Sequence, residues 1–186
     1  MKDLITIGLP SKGRLKNKAI SFFNDRGLKI LQSEKERNYF GTIENKPNIK
    51  IIFLHAKEII QRLGDGTLDI GISGLDLLTE SEKSLQDKIN IKQKLDFGSA
   101  NLVVAVPDDW IDVQTVADLE EVAFDIRFKR NARLRVATKY PNLTNNFLIS
   151  KGVTQYKLIS SLGATETYPF IGSSEIITDI TSTGKT

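Results

Sequence analysis

The sequence has 186 residues, with 26 Lys and Arg against 23 Asp and Glu, which gives a formal net charge of +3 at pH 7. Apolar residues make up 40% and charged residues 26% of the chain, a composition typical of a packed globular protein and unlike that of a disordered one. Cysteine is absent and histidine occurs once, so disulfides, cysteine nucleophiles and multi-histidine metal sites are excluded, and we expect no metal-ligating residues.

The chain in order predicts alternating strands and helices in its first half. The Pro10 turn follows a β-branched strand, and Gly27 stands where a helix ends. The predicted elements are strand 4–9, a helix after the turn 10–14, strands 39–43 and 49–54 joined by a turn at 45–48, helix 56–63, strand 68–72 and helix 75–80. This β-α-β-β-α-β-α order is typical of an open α/β sheet.

The second half continues the same pattern. Val122, Phe124 and Ile126 predict the apolar face of a charged helix, and Asn142 or Thr144 could cap the helix after it. The predicted elements are strand 101–106, helix 118–130, strand 134–138, a helix running to residue 151, and strands 156–159 and 176–180. We therefore expect two α/β lobes, residues 1–98 and 99–186, with the boundary near 96–100.

Charge and hydropathy also bear on partners and location. Basic residues cluster at 12–18 and 127–135, but neither cluster is interleaved with aromatic side chains, so a small anion accounts for them and no nucleic-acid partner is expected. No apolar run approaches the roughly 18–20 residues of a transmembrane helix. The amino terminus is a poor signal peptide. We expect a cytoplasmic protein without a membrane partner.

The sharpest local motif is IITDITSTGKT, residues 176–186. An apolar strand leads to Asp179, which can accept hydrogen bonds from vicinal ribose hydroxyls, and then to a loop whose backbone N–H and hydroxyl groups can bind phosphate. The motif predicts a sugar-phosphate site, although its composition leaves an ordinary Ser/Thr/Gly turn open. A Walker A loop is excluded, because Asp179 stands where that motif needs its first glycine.

Two further segments are candidate binding turns. Lys12 and Arg14 flank Gly13 at the start of a predicted helix, an arrangement that suits a polyphosphate, although a solvated basic turn remains open. Small residues in the segment 69–76, at a predicted strand-to-helix corner, allow a ligand close to the backbone, although tight strand–helix packing explains them equally well. The single histidine, His55, lies at the end of a predicted strand, and we assign it no catalytic role.

Six segments occur in an order and spacing that resemble the ATP phosphoribosyltransferase family. They are LPSKGRL, DIGISGLDLL, LVVAVP, RVATKYPNLT, SLGATE and IITDITSTGKT. The likeness covers nearly the whole chain. It is greatest to the short form, which lacks a C-terminal histidine-binding domain, and to alphaproteobacterial members.

The resemblance implies a fold, a reaction and partners. It implies a two-lobed α/β fold, type II periplasmic-binding-protein-like, with a cleft between the lobes. The implied reaction is the first step of histidine biosynthesis, in which ATP and phosphoribosyl pyrophosphate give phosphoribosyl-ATP and pyrophosphate with Mg²⁺. It also implies a histidyl-tRNA-synthetase-like regulatory subunit in a hetero-octamer, and a C-terminal segment returning to the first lobe, which we expect to be missing here.

Matching positions carry the implied site residues. Lys12, Arg14 and Asp179 would be catalytic. The phosphoribosyl pyrophosphate contacts would be Asp179, Thr181, Ser182, Thr183, Gly184, Lys185 and Thr186, although many members have a smaller residue than Lys185. The ATP contacts would be Lys12, Gly13, Arg14, Arg37, Asp69, Gly71 and Leu75. Two alternatives stay open: a non-catalytic small-anion-binding module and an inactive assembly subunit.

Overall fold

The computed structural model describes residues 4–32 and 39–181. The chain divides into two compact units, Met1–Ser99 (unit 1) and Ala100–Thr186 (unit 2). Each unit has its own mixed sheet with helices, so the predicted α/β fold class is confirmed. Within the described ranges, no helix is long and apolar enough to cross a membrane.

Unit 1 is built on a five-stranded sheet of order β2-β3-β4-β1-β5. Strands β1, β4 and β5 run parallel, whereas β2 and β3 are antiparallel to their neighbours. Its elements are β1 (Ile5–Pro10), α1 (Gly13–Asn24), β2 (Ile30–Gln32), β3 (Phe40–Ile43), β4 (Lys46–Leu54), α2 (Ala56–Gly64), β5 (Ile70–Gly71), α3 (Leu75–Thr79) and α4 (Lys83–Gln86).

The interior position of β1 in the sheet explains its sequence. It pairs with β4 on one side and β5 on the other, and its residues from Thr6 to Pro10 are all buried. A strand covered on both faces is expected to be almost continuously apolar, as ITIGLP is. Ile7, Leu9 and Phe53 form the main core with residues of α1.

Unit 2 is built on a four-stranded sheet of order β6-β9-β7-β8. Strands β7, β8 and β9 are parallel, and β6 is antiparallel to β9. Its elements are β6 (Asn101–Ala105), α5 (Val116–Arg130), β7 (Leu134–Thr138), α6 (Pro141–Ser150), β8 (Tyr156–Ser160), a 3₁₀ turn (Thr165–Thr167) and β9 (Ile176–Thr181).

The core of unit 2 places helices α5 and α6 on the sheet. Leu119 and Ala123 of α5 and Leu148 of α6 pack with Val136 and Ile176, which are paired across β7 and β9. All five side chains are at most 2% exposed. The carboxyl ends of three parallel strands therefore lie together at one edge of this sheet.

The predicted turn at 45–48 is misplaced: the observed turn begins one residue earlier and ends three residues earlier. The two-residue turn is Glu44–Asn45, with Asn45 in the left-handed region at φ 60°, and β4 already begins at Lys46. Pro47 lies inside β4, where the register shifts between Thr42 and Ile43 of β3. A proline is tolerated at such an irregularity, because no ladder N–H is needed there.

The predicted strand 68–72 is reduced to two residues, Ile70 and Gly71. Leu68 and Ile72 are buried beside it, but Ile70 is 51% exposed because β5 is an edge strand. The short elements β2 and α4 were not predicted from the sequence. Neither has a run long enough to show a period.

Two predictions for unit 2 are also wrong. Phe124 does not face the core: it is 52% exposed, and the buried face of α5 is instead Leu119 and Ala123, spaced at i and i+4. The N-cap position of helix α6 is occupied by Tyr140, not by Asn142 or Thr144. Pro141 takes the first helical position, which suits its fixed φ and missing N–H.

Candidate functional site

The carboxyl edge of the unit 2 sheet carries the predicted acid. Asp179 lies near the end of β9, opposite Val103 of β6, and is half-buried. Its Oδ1 accepts a hydrogen bond from the backbone N–H of Ile180 at 2.8 Å. Thr181, also predicted as a contact, is 8% exposed and pairs with Asn101. Ligands of α/β sheets commonly bind beyond the carboxyl ends of strands, which is where Asp179 stands.

Buried hydroxyl groups line the same edge, and the sequence did not identify them as a group. Thr138 ends β7, Thr178 immediately precedes Asp179, and Thr144 lies between them in the first part of α6. Their hydroxyls are in hydrogen-bond contact and none of the three side chains is exposed. The available signal was the placement of polar residues at the ends of otherwise apolar strands.

The basic turn of unit 1 lies at the carboxyl end of β1. Lys12 is the N-cap residue of α1, and its side chain makes no capping hydrogen bond. Gly13 has φ +71°, a left-handed conformation that favours glycine, and open space surrounds the position of a Cβ. Lys12, Gly13 and Arg14 are exposed. A helix start with two cations provides N–H donors and positive charge for an anion.

The other predicted ATP contacts of unit 1 do not all share that edge. Leu75 begins α3 after the carboxyl end of β5 and is 51% exposed. Asp69 precedes β5, near the opposite end of the sheet, and its Oδ2 accepts from the N–H of Thr6 at 2.8 Å. A Cβ at Gly71 would lie 2.5 Å from Ile59, so this glycine permits α2 to pack against β5. The alternative of tight packing at this corner therefore applies to Gly71.

Several predicted contacts lie outside the described residues. They are Arg37, Ser182, Thr183, Gly184, Lys185 and Thr186. His55 is described and has a structural role, because its Nδ1 accepts from the N–H of Lys57 at 3.3 Å and caps α2.

An ion pair joins β7 and β9 at the end of the sheet opposite Asp179. Glu175 accepts from the backbone N–H of Arg135 at 2.7 Å and from its guanidinium Nη2 at 2.6 Å, and Arg135 Nη1 donates to Gly172. Burial opposes ionisation of Glu175, but the hydrogen bonds from Arg135 and its charge outweigh burial and lower the pKa of Glu175. The same pair raises the pKa of Arg135. This pair stabilises the sheet away from the candidate site.

Residues that could ligate a metal are dispersed. Among residues 4–32 and 39–181, no cluster of three or more histidines and carboxylates could hold a metal ion.

The two mixed sheets with their helices, the basic turn after β1 and the acid near the end of β9 define an α/β protein. Sequence comparison identifies its family. The ATP phosphoribosyltransferase (HisG) family model matches residues 55–186. The ATP phosphoribosyltransferase of Brucella melitensis biotype 2 is 45% identical over 98% of this chain and 79% of its own length. That of Nitrobacter winogradskyi is 45% identical over 100% of this chain and 57% of its own length. The chain belongs to the ATP phosphoribosyltransferase family, and the resemblance to alphaproteobacterial members is confirmed.

A solved structure shows the same fold. A chain of the ATP phosphoribosyl transferase (HisG:HisZ) complex from Thermotoga maritima superposes with a TM-score of 0.58 and 23% identity. The match covers 98% of this chain and 76% of that one. The likeness shows that the two chains share a fold.

Proposed function

We propose that this chain is the catalytic subunit of an ATP phosphoribosyltransferase of the short form. It joins N1 of the adenine of ATP to C1′ of phosphoribosyl pyrophosphate and releases pyrophosphate, the first step of histidine biosynthesis. The observation that carries the proposal is 45% identity to an enzyme of that name over nearly the entire chain. Asp179, at the carboxyl edge of the unit 2 sheet, supports it independently.

The chemistry requires positioning more than proton transfer. The bond from C1′ to pyrophosphate breaks as the bond from N1 forms, and N1 already carries a free lone pair at neutral pH. No general base is needed, which agrees with a chain whose single histidine, His55, caps a helix. Catalysis then depends on holding two substrates and stabilising the charge of the leaving group.

The proposed roles follow the two units. In unit 1, Lys12, Arg14 and the first N–H groups of α1 bind phosphate oxygens of the nucleotide and the leaving pyrophosphate. In unit 2, Asp179 accepts hydrogen bonds from the ribose hydroxyls. Residues 181–186 would bind the 5-phosphate. On the resemblance alone, Arg37, Asp69, Gly71 and Leu75 remain proposed ATP contacts. The cleft predicted between the lobes stays a prediction.

Magnesium and a regulatory partner complete the proposal. Mg²⁺ commonly binds through substrate phosphates with only one or two protein carboxylates, so the dispersed acids described above fit an ion that arrives on pyrophosphate and neutralises its charge. A histidyl-tRNA-synthetase-like subunit is the proposed partner, in a hetero-octamer. The Thermotoga maritima protein was solved as a HisG:HisZ complex, which supports a partner of that kind.

The test is pyrophosphate release with ATP, phosphoribosyl pyrophosphate and Mg²⁺, with and without the regulatory subunit. We expect Asp179→Asn to lower turnover by roughly a hundredfold or more, as the loss of a group that binds the reacting sugar does. Asparagine keeps an Oδ1 acceptor for the N–H of Ile180, so stability should change little. Asp125→Asn, on the exposed face of α5, is the matched control and should keep full activity.

Three outcomes separate the candidate functions. Turnover that depends on Asp179 supports the enzyme. Near-normal product formation by Asp179→Asn contradicts the assignment of Asp179. Substrate binding without turnover by the wild-type protein, even with the partner present, would instead favour a binding module or an assembly subunit.

A further inference from the structure

Three buried threonine hydroxyls form a connected group in unit 2. Thr144 Oγ1 lies 2.6 Å from Thr178 Oγ1 and 3.1 Å from Thr138 Oγ1. Thr138 Oγ1 also accepts from the backbone N–H of Tyr140 at 2.9 Å. All three side chains are 0% exposed. We call Thr138, Thr144 and Thr178 the threonine cluster.

The cluster joins three elements at the carboxyl edge of the sheet. Thr138 and Thr178 are register partners on neighbouring parallel strands, so their side chains lie side by side on one face. Thr144 is the fourth residue of α6 and contacts both. Its hydroxyl therefore fixes the start of α6 against β7 and β9 at a single point.

Packing alone does not call for these hydroxyls. Valine has the shape of threonine and would fill the same space, whereas a buried hydroxyl costs free energy unless it is hydrogen-bonded. A hydrogen bond adds what apolar contact lacks, namely a preferred distance and direction. The cluster is thus suited to setting the position of a strand end rather than to adding apolar stability.

The end of β9 carries Asp179, the side chain proposed to bind the ribose. Thr178 and Asp179 are consecutive in β9, and because side chains alternate along a strand, Asp179 projects from the face opposite the cluster. A shift of Thr178 would displace the Asp179 carboxylate by a similar amount. Displacements of about 1 Å at a substrate-binding group can cost a hundredfold in rate.

We propose that Thr144 is a positioning residue for the phosphoribosyl substrate, acting through Thr178 to hold Asp179 in place. The inference rests on the proposed function, because it takes Asp179 as the group that binds the ribose. It adds a residue that touches no substrate and whose hydroxyl nevertheless sets affinity for one of the two substrates.

The first test compares Thr144→Val, which removes the hydroxyl but keeps the shape, with Thr144→Ser, which keeps the hydroxyl. We expect Thr144→Val to raise KM for phosphoribosyl pyrophosphate about tenfold while KM for ATP changes less than twofold, and Thr144→Ser to recover most of the affinity. The control is Val153→Ala, a buried apolar truncation in the same core that leaves the cluster intact. It should lower stability without changing KM for either substrate.

The second test asks whether Thr144 acts through Asp179. Isothermal titration with phosphoribosyl pyrophosphate is carried out on Thr144→Val, Asp179→Asn and the double variant. If Thr144 acts through Asp179, Thr144→Val weakens the binding of phosphoribosyl pyrophosphate in the wild-type background and has no further effect in the Asp179→Asn background. Equal weakening in both backgrounds would overturn the inference.

Other results would also overturn it. These are a KM for phosphoribosyl pyrophosphate within twofold of wild type in Thr144→Val, or an equal rise in Val153→Ala. Thr178→Val removes the other end of the 2.6 Å contact and should repeat the effect. If both valine variants fail to fold, the hydroxyls serve global stability and the positioning role is wrong. If Asp179→Asn binds normally, the proposed function of Asp179 fails first and separately.

Discussion

Replacing Glu175 with glutamine tests how much the ion pair between β7 and β9 stabilises unit 2. The carboxylate accepts hydrogen bonds from three N–H groups of Arg135: the backbone N–H at 2.7 Å, Nε at 3.0 Å and Nη2 at 2.6 Å. Glutamine has nearly the same shape but one acceptor oxygen and no charge. The variant therefore keeps the packing and loses the charge and at least one hydrogen bond.

The expected cost is about 1–2 kcal/mol. Hydrogen bonds to charged groups contribute roughly 1.5–3 kcal/mol when shielded, whereas exposed ion pairs contribute about 0–1 kcal/mol. The side chain of Glu175 is 20% exposed and that of Arg135 is 39% exposed, so the pair lies between these limits. With a urea dependence of about 1 kcal/mol per molar, the midpoint should fall by about 1–2 M.

A single tryptophan makes the assay specific to one unit. Trp110 is the only tryptophan in the sequence, and it packs against the core of unit 2. Its fluorescence in urea therefore reports the unfolding of unit 2. Asp125→Asn is the matched control, because its pair with Lys129 is an exposed i,i+4 pair on α5 that contributes only about 0.2–0.5 kcal/mol.

The pH dependence gives the result that would refute the reasoning. Because the folded state lowers the pKa of Glu175, its contribution is complete above the unfolded glutamate pKa, about 4.3, and is lost as pH falls through the folded value. The gap in unfolding free energy between wild type and Glu175→Gln should thus shrink below about pH 4. A difference in unfolding free energy that is absent at pH 7, or that widens on acidification, contradicts the claim that the charged pair of Glu175 and Arg135 stabilises unit 2.

Two predictions concern unit 1. Asp69→Ala removes the acceptor of the Thr6 N–H, so hydrogen exchange of β1 peptides, measured by mass spectrometry, should speed up about tenfold. In the control Asp69→Asn the exchange rate should stay near that of the wild type. Unchanged exchange in Asp69→Ala would show that this contact is not needed. His55→Ala removes the cap of α2 and should lower the free energy of unfolding by about 0.5–1 kcal/mol, measured by thermal unfolding followed by circular dichroism, with kcat unaltered. A loss of kcat in fully folded His55→Ala would contradict the structural role of His55.

The parts of the fold that the sequence predicted well have strong local patterns. Strand 134–138 was predicted with its exact bounds, because β-branched and apolar residues there are flanked by charged and turn residues. The helix beginning at Ala56 was one residue short, since its apolar positions recur at helical spacing. Elements such as β2 were not found because they are held by tertiary pairing rather than by local sequence preference.

The candidate site was predicted unevenly for a similar reason. The distinctive composition of residues 176–186 singles out Asp179, which the structure places in β9, and its role in binding stays a prediction. Local sequence makes Thr144 one of two candidate helix caps, with Asn142, whereas the hydroxyl of Thr144 contacts Thr138 and Thr178. The contact between Thr144 and Thr178 joins residues 34 positions apart, which no local pattern can reveal. Asp69 likewise gave no sign of its bond to Thr6, which is 63 positions away.

The strand order of unit 2 has a consequence for how the protein is made. Among the described strands of this unit β6 comes first in the chain, and its neighbour in the sheet is β9, which comes last, with Asn101 paired to Thr181. In unit 1, by contrast, all five described strands have been synthesised once Gly71 has been added. During translation unit 1 can fold while unit 2 is still being synthesised, but β6 must wait for the ribosome to release β9. A nascent chain stalled before β9 would leave an apolar strand edge unpaired, which a chaperone would have to shield.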